Sequence, residues 1–92
     1  MSTIVDIPAV AYSWRVNIRD RSDNLRAVGL GLRALRQLRG ETQAETATAI
    51  GVSRQYVSEV EGGRNITLDL VFRFSAHFGV PPSAIVEPNR KQ

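Results

Sequence analysis

The chain has 92 residues, no cysteine and a formal net charge of +3, and 42% of its residues are hydrophobic. This composition suits one small folded domain and argues against a disulfide framework, a thiolate metal site and a disordered chain. No apolar run approaches the ~20 residues that span a bilayer, and no basic segment followed by an apolar one opens the sequence, so a cytoplasmic protein is expected.

Almost every base is an arginine. A positive balance favours a polyanionic partner, yet a charge of this size is also ordinary for a soluble domain and does not choose a function.

Residues 1–22 read as an extended N-terminal arm. Thr3 to Ile7 is a short candidate strand ended by Pro8. Tyr12, Trp14, Val16 and Ile18 then alternate with Ser13, Arg15, Asn17 and Arg19. A strict period of two, rich in strand-favouring residues, predicts an ordered β-strand rather than a loose leader or a vector remnant. A lone strand leaves its backbone amides unpaired, so this one needs another. Pairing with the same segment of a second copy is preferred over pairing with Thr3 to Ile7, because a two-fold contact would also build a dimer.

Residues 23–87 have helical periodicity. Ser22, Asp23 and Asn24 are cap candidates for a first helix from about Leu25 to Arg39, ended by Gly40. Leu25, Val28, Leu32 and Leu35 form its core stripe, and Leu30, Ala34 and Leu38 form a second stripe. Two apolar stripes on one short helix imply two packing partners.

The stretch Thr42 to Arg64 reads as two short helices joined by a tight turn. Thr42 and Glu45 have the spacing of a capping box, and Ala44, Ala47 and Ile50 give the second helix a weakly apolar face. Gly51 can take the left-handed conformation a sharp turn needs, Ser53 can cap a third helix running to about Glu61, and Gly62-Gly63 stops it. At about 100° per residue, Val57 and Val60 share one face of that helix, while Arg54, Gln55, Ser58 and Glu59 share the other. Ala47 is small where the two helices would cross. A helix carried on a helix is the arrangement that places a recognition helix in the DNA major groove. Arginine can bond guanine, and glutamine adenine, in bidentate fashion, which makes Arg54 and Gln55 the best base readers.

Beyond this pair, Arg64, Asn65 and Ile66 form a loop, Thr67 can cap a fourth helix, and Gly79 ends it. Pro88 closes the domain, and residues 88–92 form a frayed tail. Catalysis finds no support. His77 is the only histidine and has no cysteine or evident carboxylate partner, and Glu41, Glu45, Glu59 and Glu61 lack metal-ligand spacing. No enzyme activity, catalytic residue, metal or cofactor is expected.

The sequence resembles the lambda-repressor-like (Cro/XRE-type) helix-turn-helix proteins. The resemblance runs from Val28 to Gln43 as V-G-x-x-L-R-x-L-R-x-x-R-G-x-T-Q and continues through Ala47, Gly51-Val-Ser, Tyr56-Val-Ser, Glu61, Gly63, Arg64-Asn-Ile-Thr and Gly79-Val. It implies an all-α, compact five-helix domain, here preceded by the extended arm. It also implies that Leu68, Val71, Phe74 and Phe78 face inward on the fourth helix, with Leu70 and Phe72 in surplus. Pro82 to Val86 corresponds to a short fifth helix, with Pro81 where a capping residue is common.

For function, the resemblance implies double-stranded DNA as partner and base contacts from Arg54, Gln55 and Glu59, joined by Ser58 on the same face. Phosphate contacts would come from Gln43, Ser53, Tyr56, Arg64 and Asn65, and Arg36 would form a structural ion pair with Glu61. Three departures stand out. Thr46 replaces a usual leucine, so the core under the second helix is expected to be thinner. Glu59 replaces a usual amide, and would either accept from cytosine N4 or repel phosphate. Leu30 and Leu38 replace polar residues. The expected function is a transcriptional regulator, a repressor that binds a palindromic operator as a homodimer, with its own gene among the candidate targets. Two rivals share the same DNA domain. One is an antitoxin whose arm, through Tyr12, Trp14, Val16 and Ile18, binds a toxin; the other is a restriction–modification controller.

Overall fold

The structure is a computed structural model that describes residues 21–87. The expected strand in the arm and the C-terminal tail lie outside these residues. Five helices follow one another: α1 (Arg21–Leu38), α2 (Gln43–Ile50), α3 (Arg54–Glu61), α4 (Leu68–Phe78) and α5 (Pro82–Val86). The described residues are thus all-helical.

One face of α1 supplies the floor of the core. Val28 and Leu32 are buried on it with Leu35 packed alongside, and they meet Ile50, Val60, Val71, Phe74, Phe78 and Ile85 from the other four helices. Phe74 and Phe78 stack with ring centroids 6.0 Å apart. Each such side chain contributes about 1.5–3 kcal/mol by leaving water, so this cluster holds the helices together.

Small residues sit at buried positions on α1 and α2. Ala47 is buried on α2. On α1, Gly29 lies against the end of α3, where an added Cβ would sit 2.5 Å from the carbonyl oxygens of Val60 and Glu61. A glycine inside a helix costs about 1 kcal/mol relative to alanine. Here it lets α1 and the last turn of α3 touch.

Several expectations are corrected. Helix α1 begins at Arg21 rather than Leu25, so Ser22, Asp23 and Asn24 form its first turn instead of capping it, and Asp23 faces the positive end of the helix dipole. On α2, Ala44 is exposed and the fully buried neighbour of Ala47 is Thr46. Leu68 is 67% exposed, not inward. With Thr67 as N-cap it occupies the first helical position, and helical side chains lean toward the N-terminus, so it projects past the end of the core. Leu70 packs against the core, whereas Phe72 stays exposed. Among the described residues only one stripe of α1 is covered: Leu30 is 56% and Leu38 84% exposed, and Ala34 is exposed between them. Helix α5 starts from Pro81 without a side-chain cap and anchors itself through the buried Ile85.

Candidate nucleic-acid interface

Local chemistry sets the two central helices. The amide of Glu45 donates to Thr42 Oγ1 at 3.1 Å, and the Thr42 amide donates to Glu45 Oε1 at 2.8 Å, completing the capping box of α2. Gly51 turns the chain with φ +82°, and the amides of Gly51 and Val52 both donate to the Ala47 carbonyl at 2.9 and 3.0 Å. Arg73, on α4, donates from Nη1 to the Ile50 carbonyl at 3.1 Å and so holds the end of α2 from a third helix. Ser53 Oγ accepts the Tyr56 amide at 3.0 Å and starts α3. At its far end Gly62 keeps an ordinary φ of −86°, and Gly63, at +106°, makes the turn.

Helix α3 stands on Val57 and Val60, each 1% exposed. Arg54, Gln55 and Ser58 are exposed on the opposite side, and Glu59 is half-buried beside them. Two polar chains flank this face. In the first, Arg36 grips Glu61 as a fork, with Nε to Oε2 at 2.6 Å and Nη2 to Oε1 at 2.9 Å. The side chains are only 11% and 6% exposed, so the pair is largely dry. Hydrogen bonding to Glu61 holds the Arg36 guanidinium above its ordinary pKa, against the opposing pull of burial. Gln43 Nε2 donates to the same Glu61 at 3.0 Å, and its Oε1 lies 3.5 Å from Arg54 Nη1. The second chain runs along α3 from its first turn to the loop beyond it. Gln55 Nε2 donates to Glu59 Oε2 at 3.2 Å, and Arg64 pairs with Glu59 Oε1. The Arg64 guanidinium also sits 5.3 Å from the centroid of the Tyr56 ring. Asn65 is exposed next to it.

A helix-turn-helix family model matches residues 32–85, from the C-terminal part of α1 to Ile85 in α5. This chain belongs to the Cro/C1-type, lambda-repressor-like helix-turn-helix family. The family is one of DNA-binding regulators, and that is the coarse function of this protein. The comparison with curated proteins found no match.

Within this helix-turn-helix protein, the residues expected from the sequence to meet DNA lie on or near α3. Arg54, Gln55, Ser58 and Glu59 lie along its outer side. Gln43 approaches from the start of α2, Tyr56 lies in the first turn of α3, and Arg64 and Asn65 lie in the loop after it. Ser53 spends its oxygen on the Tyr56 amide, which leaves its hydroxyl hydrogen able to donate outward. No helix among the described residues is long and apolar enough to cross a membrane, and no cluster of acidic or histidine side chains there could hold a metal ion.

Sequence reasoning missed Glu41. Its Oε1 accepts from Thr46 Oγ1 at 2.6 Å and meets His77 Nε2 at 2.7 Å, and its Oε2 accepts from Arg39 Nε at 3.1 Å. The His77 and Thr46 hydrogen bonds hold the Glu41 carboxyl down at about 2, against its burial. His77 therefore does have a carboxylate beside it, supplied by the turn between α1 and α2. The expected thin spot under α2 is instead filled by a fully buried threonine whose hydroxyl is satisfied. Arg36 Nη1 also donates to the Glu41 carbonyl at 2.8 Å, which joins this cluster to the Arg36–Glu61 fork. A polar residue where the family has leucine was the available signal, since a buried hydroxyl demands a partner.

Proposed function

We propose that this protein is a sequence-specific transcriptional repressor that binds a palindromic operator as a homodimer, with one α3 in each major groove. The observation that carries this reading is α3 itself. Its apolar side is locked by Val57 and Val60, its angle is clamped by the Arg36–Glu61 fork, and its free side offers Arg54 and Gln55. Arg54, Gln55 and Ser58 read base edges in this scheme, with Glu59 beside them on the same face. Gln43, Ser53, Tyr56, Arg64 and Asn65 set register on the phosphates. Two copies related by a two-fold axis would read half-sites about 34 Å apart. Occupying such a site blocks transcription by itself, so repression is the sign we assign.

Selection of bound duplexes from a random pool tests this directly. The expected product is an inverted repeat with half-sites one helical turn apart. Enrichment of no sequence, or of a single unrepeated half-site, would sink the specific or the dimeric part respectively.

A second reading is favoured by Leu30, Leu38 and Phe72, which are exposed on α1 and α4. Apolar side chains in that state suit a protein partner. An antitoxin, with the arm residues Tyr12, Trp14, Val16 and Ile18 reaching a toxin, would use both features. Co-purification of a neighbouring gene product in a fixed ratio would favour it over the stand-alone repressor.

A further inference from the structure

Gln55 lies one turn before Glu59 on α3 and donates from Nε2 to Glu59 Oε2 at 3.2 Å. An ionised carboxylate can only accept hydrogen bonds, so an amide beside it must turn its nitrogen toward it. The reverse rotamer would set two acceptor oxygens face to face. Glu59 is itself held from the other side, where Arg64 pairs with Oε1 while lying over the Tyr56 ring. The amide of Gln55 is thus oriented before any DNA arrives, with its oxygen and its second N–H left over.

We infer that Glu59 is a positioning residue that sets the base preference of Gln55, selecting a base edge with an exocyclic amine, adenine or cytosine, over guanine or thymine. This rests on the reading of α3 as the recognition helix. Adenine offers an N6 donor beside an N7 acceptor, which the free oxygen and the remaining N–H of Gln55 match together. Cytosine offers its N4 donor to the oxygen alone. Guanine and thymine show only acceptors in the major groove. Against those edges Gln55 keeps one N–H to donate, while its outward oxygen meets the second acceptor of guanine or finds no donor on thymine; offering both N–H groups would turn that oxygen against Glu59.

The test compares the full chain with Gln55→Ala, Glu59→Ala, the double variant and Glu59→Lys. Each is titrated against the selected duplex with all four base pairs placed in turn at every position. The base pair whose discrimination disappears in Gln55→Ala is the one that Gln55 reads. The wild type is expected to prefer adenine or cytosine there by about tenfold or more. Glu59→Ala should flatten that preference, and should change nothing further once Gln55 is alanine. Glu59→Lys places a donor-only group beside the amide, so it should turn the nitrogen outward and swing the preference toward guanine or thymine. Both positions face solvent or are only half-buried, and a thermal melt by circular dichroism checks that each variant is folded. A wild-type preference for guanine or thymine, or an undiminished preference in Glu59→Ala, would overturn the inference while leaving DNA reading intact. So would a further shift on removing Glu59 from the Gln55→Ala variant, which would mean that Glu59 touches the base itself. If the wild type enriched no duplex at all, the recognition-helix reading would fall and this inference with it.

Discussion

Two arginines near α3 stand in different surroundings and should behave differently. Arg54 starts the helix with its guanidinium at the outer edge of hydrogen-bond range from Gln43, so it can leave that contact for guanine at little cost. Arg64 is beyond the helix, pairs with Glu59 and leans on Tyr56. Arg54→Ala is expected to cost about 1–3 kcal/mol on the selected operator and little on unrelated duplexes. Arg64→Ala should weaken all duplexes alike and lower the slope of log K against log salt by about 1. Fluorescence anisotropy at several salt concentrations measures both. An Arg54→Ala protein with unchanged operator preference would show that α3 does not read through this residue.

At the scale of helices, α1 holds α3 through one polar and one steric device. Glu61 is only 6% exposed beside Arg36, and removing Arg36 leaves it the Gln43 amide as its remaining side-chain partner. Arg36→Ala is therefore expected to destabilise the fold by about 3 kcal/mol in urea denaturation. Replacing Arg36 with methionine and Glu61 with leucine together should cost less than either single change, because no orphan charge remains. An additive double-mutant cycle would show that the fork is incidental. Gly29 is the steric device. Alanine is the better helix former by about 0.5–1 kcal/mol, yet its methyl would sit 2.5 Å from two backbone carbonyl oxygens. Crowding a packed contact costs about 1–3 kcal/mol, so the clash wins and Gly29→Ala should lower the melting temperature. An unchanged or raised melting temperature would show that α1 and α3 can part without penalty.

For the molecule as a whole, the Glu41 cluster ties the α1–α2 turn to α4 and makes stability depend on acid. The Glu41 carboxyl is lowered from 4.5 to about 2 in the folded protein. A depressed carboxylate stabilises the fold fully above its unfolded value and loses that contribution as pH falls through its folded value. Stability should therefore drop between about pH 4.5 and pH 2, with Glu41 as one contributor. Carboxyl NMR titration should place its midpoint near the lower value, and His77→Ala, which removes the largest cause, should move it upward. A midpoint unmoved by that substitution would leave Thr46 and Arg39 as the groups that matter. Assembly is the other property of the whole. Deleting residues 1–20, which ends where α1 begins, should leave a folded domain that sediments as a monomer and binds its operator more weakly. An unchanged dimer would move the proposed interface onto the exposed helices.

Much of the fold was legible because its signals are local. Thr42 and Glu45, Ser53 and the Tyr56 amide, and Thr67 and the Leu70 amide each lie three residues apart. Gly51 and Gly79 end helices through their own backbone conformation. Such contacts form within one turn, so residue order determines them. The exposed face of α3 was legible for the same reason, since Val57 and Val60 mark its buried side. Tertiary structure decided what depends on separation and angle. Glu41 meets His77 across 36 residues and Arg36 meets Glu61 across 25. Of these, the first escaped notice and the second was expected only through family resemblance. Helical periodicity showed two apolar stripes on α1 but could not say which would be buried. The start of α1 was misplaced because Ser22, Asp23 and Asn24 suit a cap and a first turn equally well. Periodicity orients a side chain about its own helix axis, whereas burial depends on where the neighbouring helices cross. Gly29 sets part of that crossing by letting backbones touch, and its effect exists only once α1 and α3 are packed.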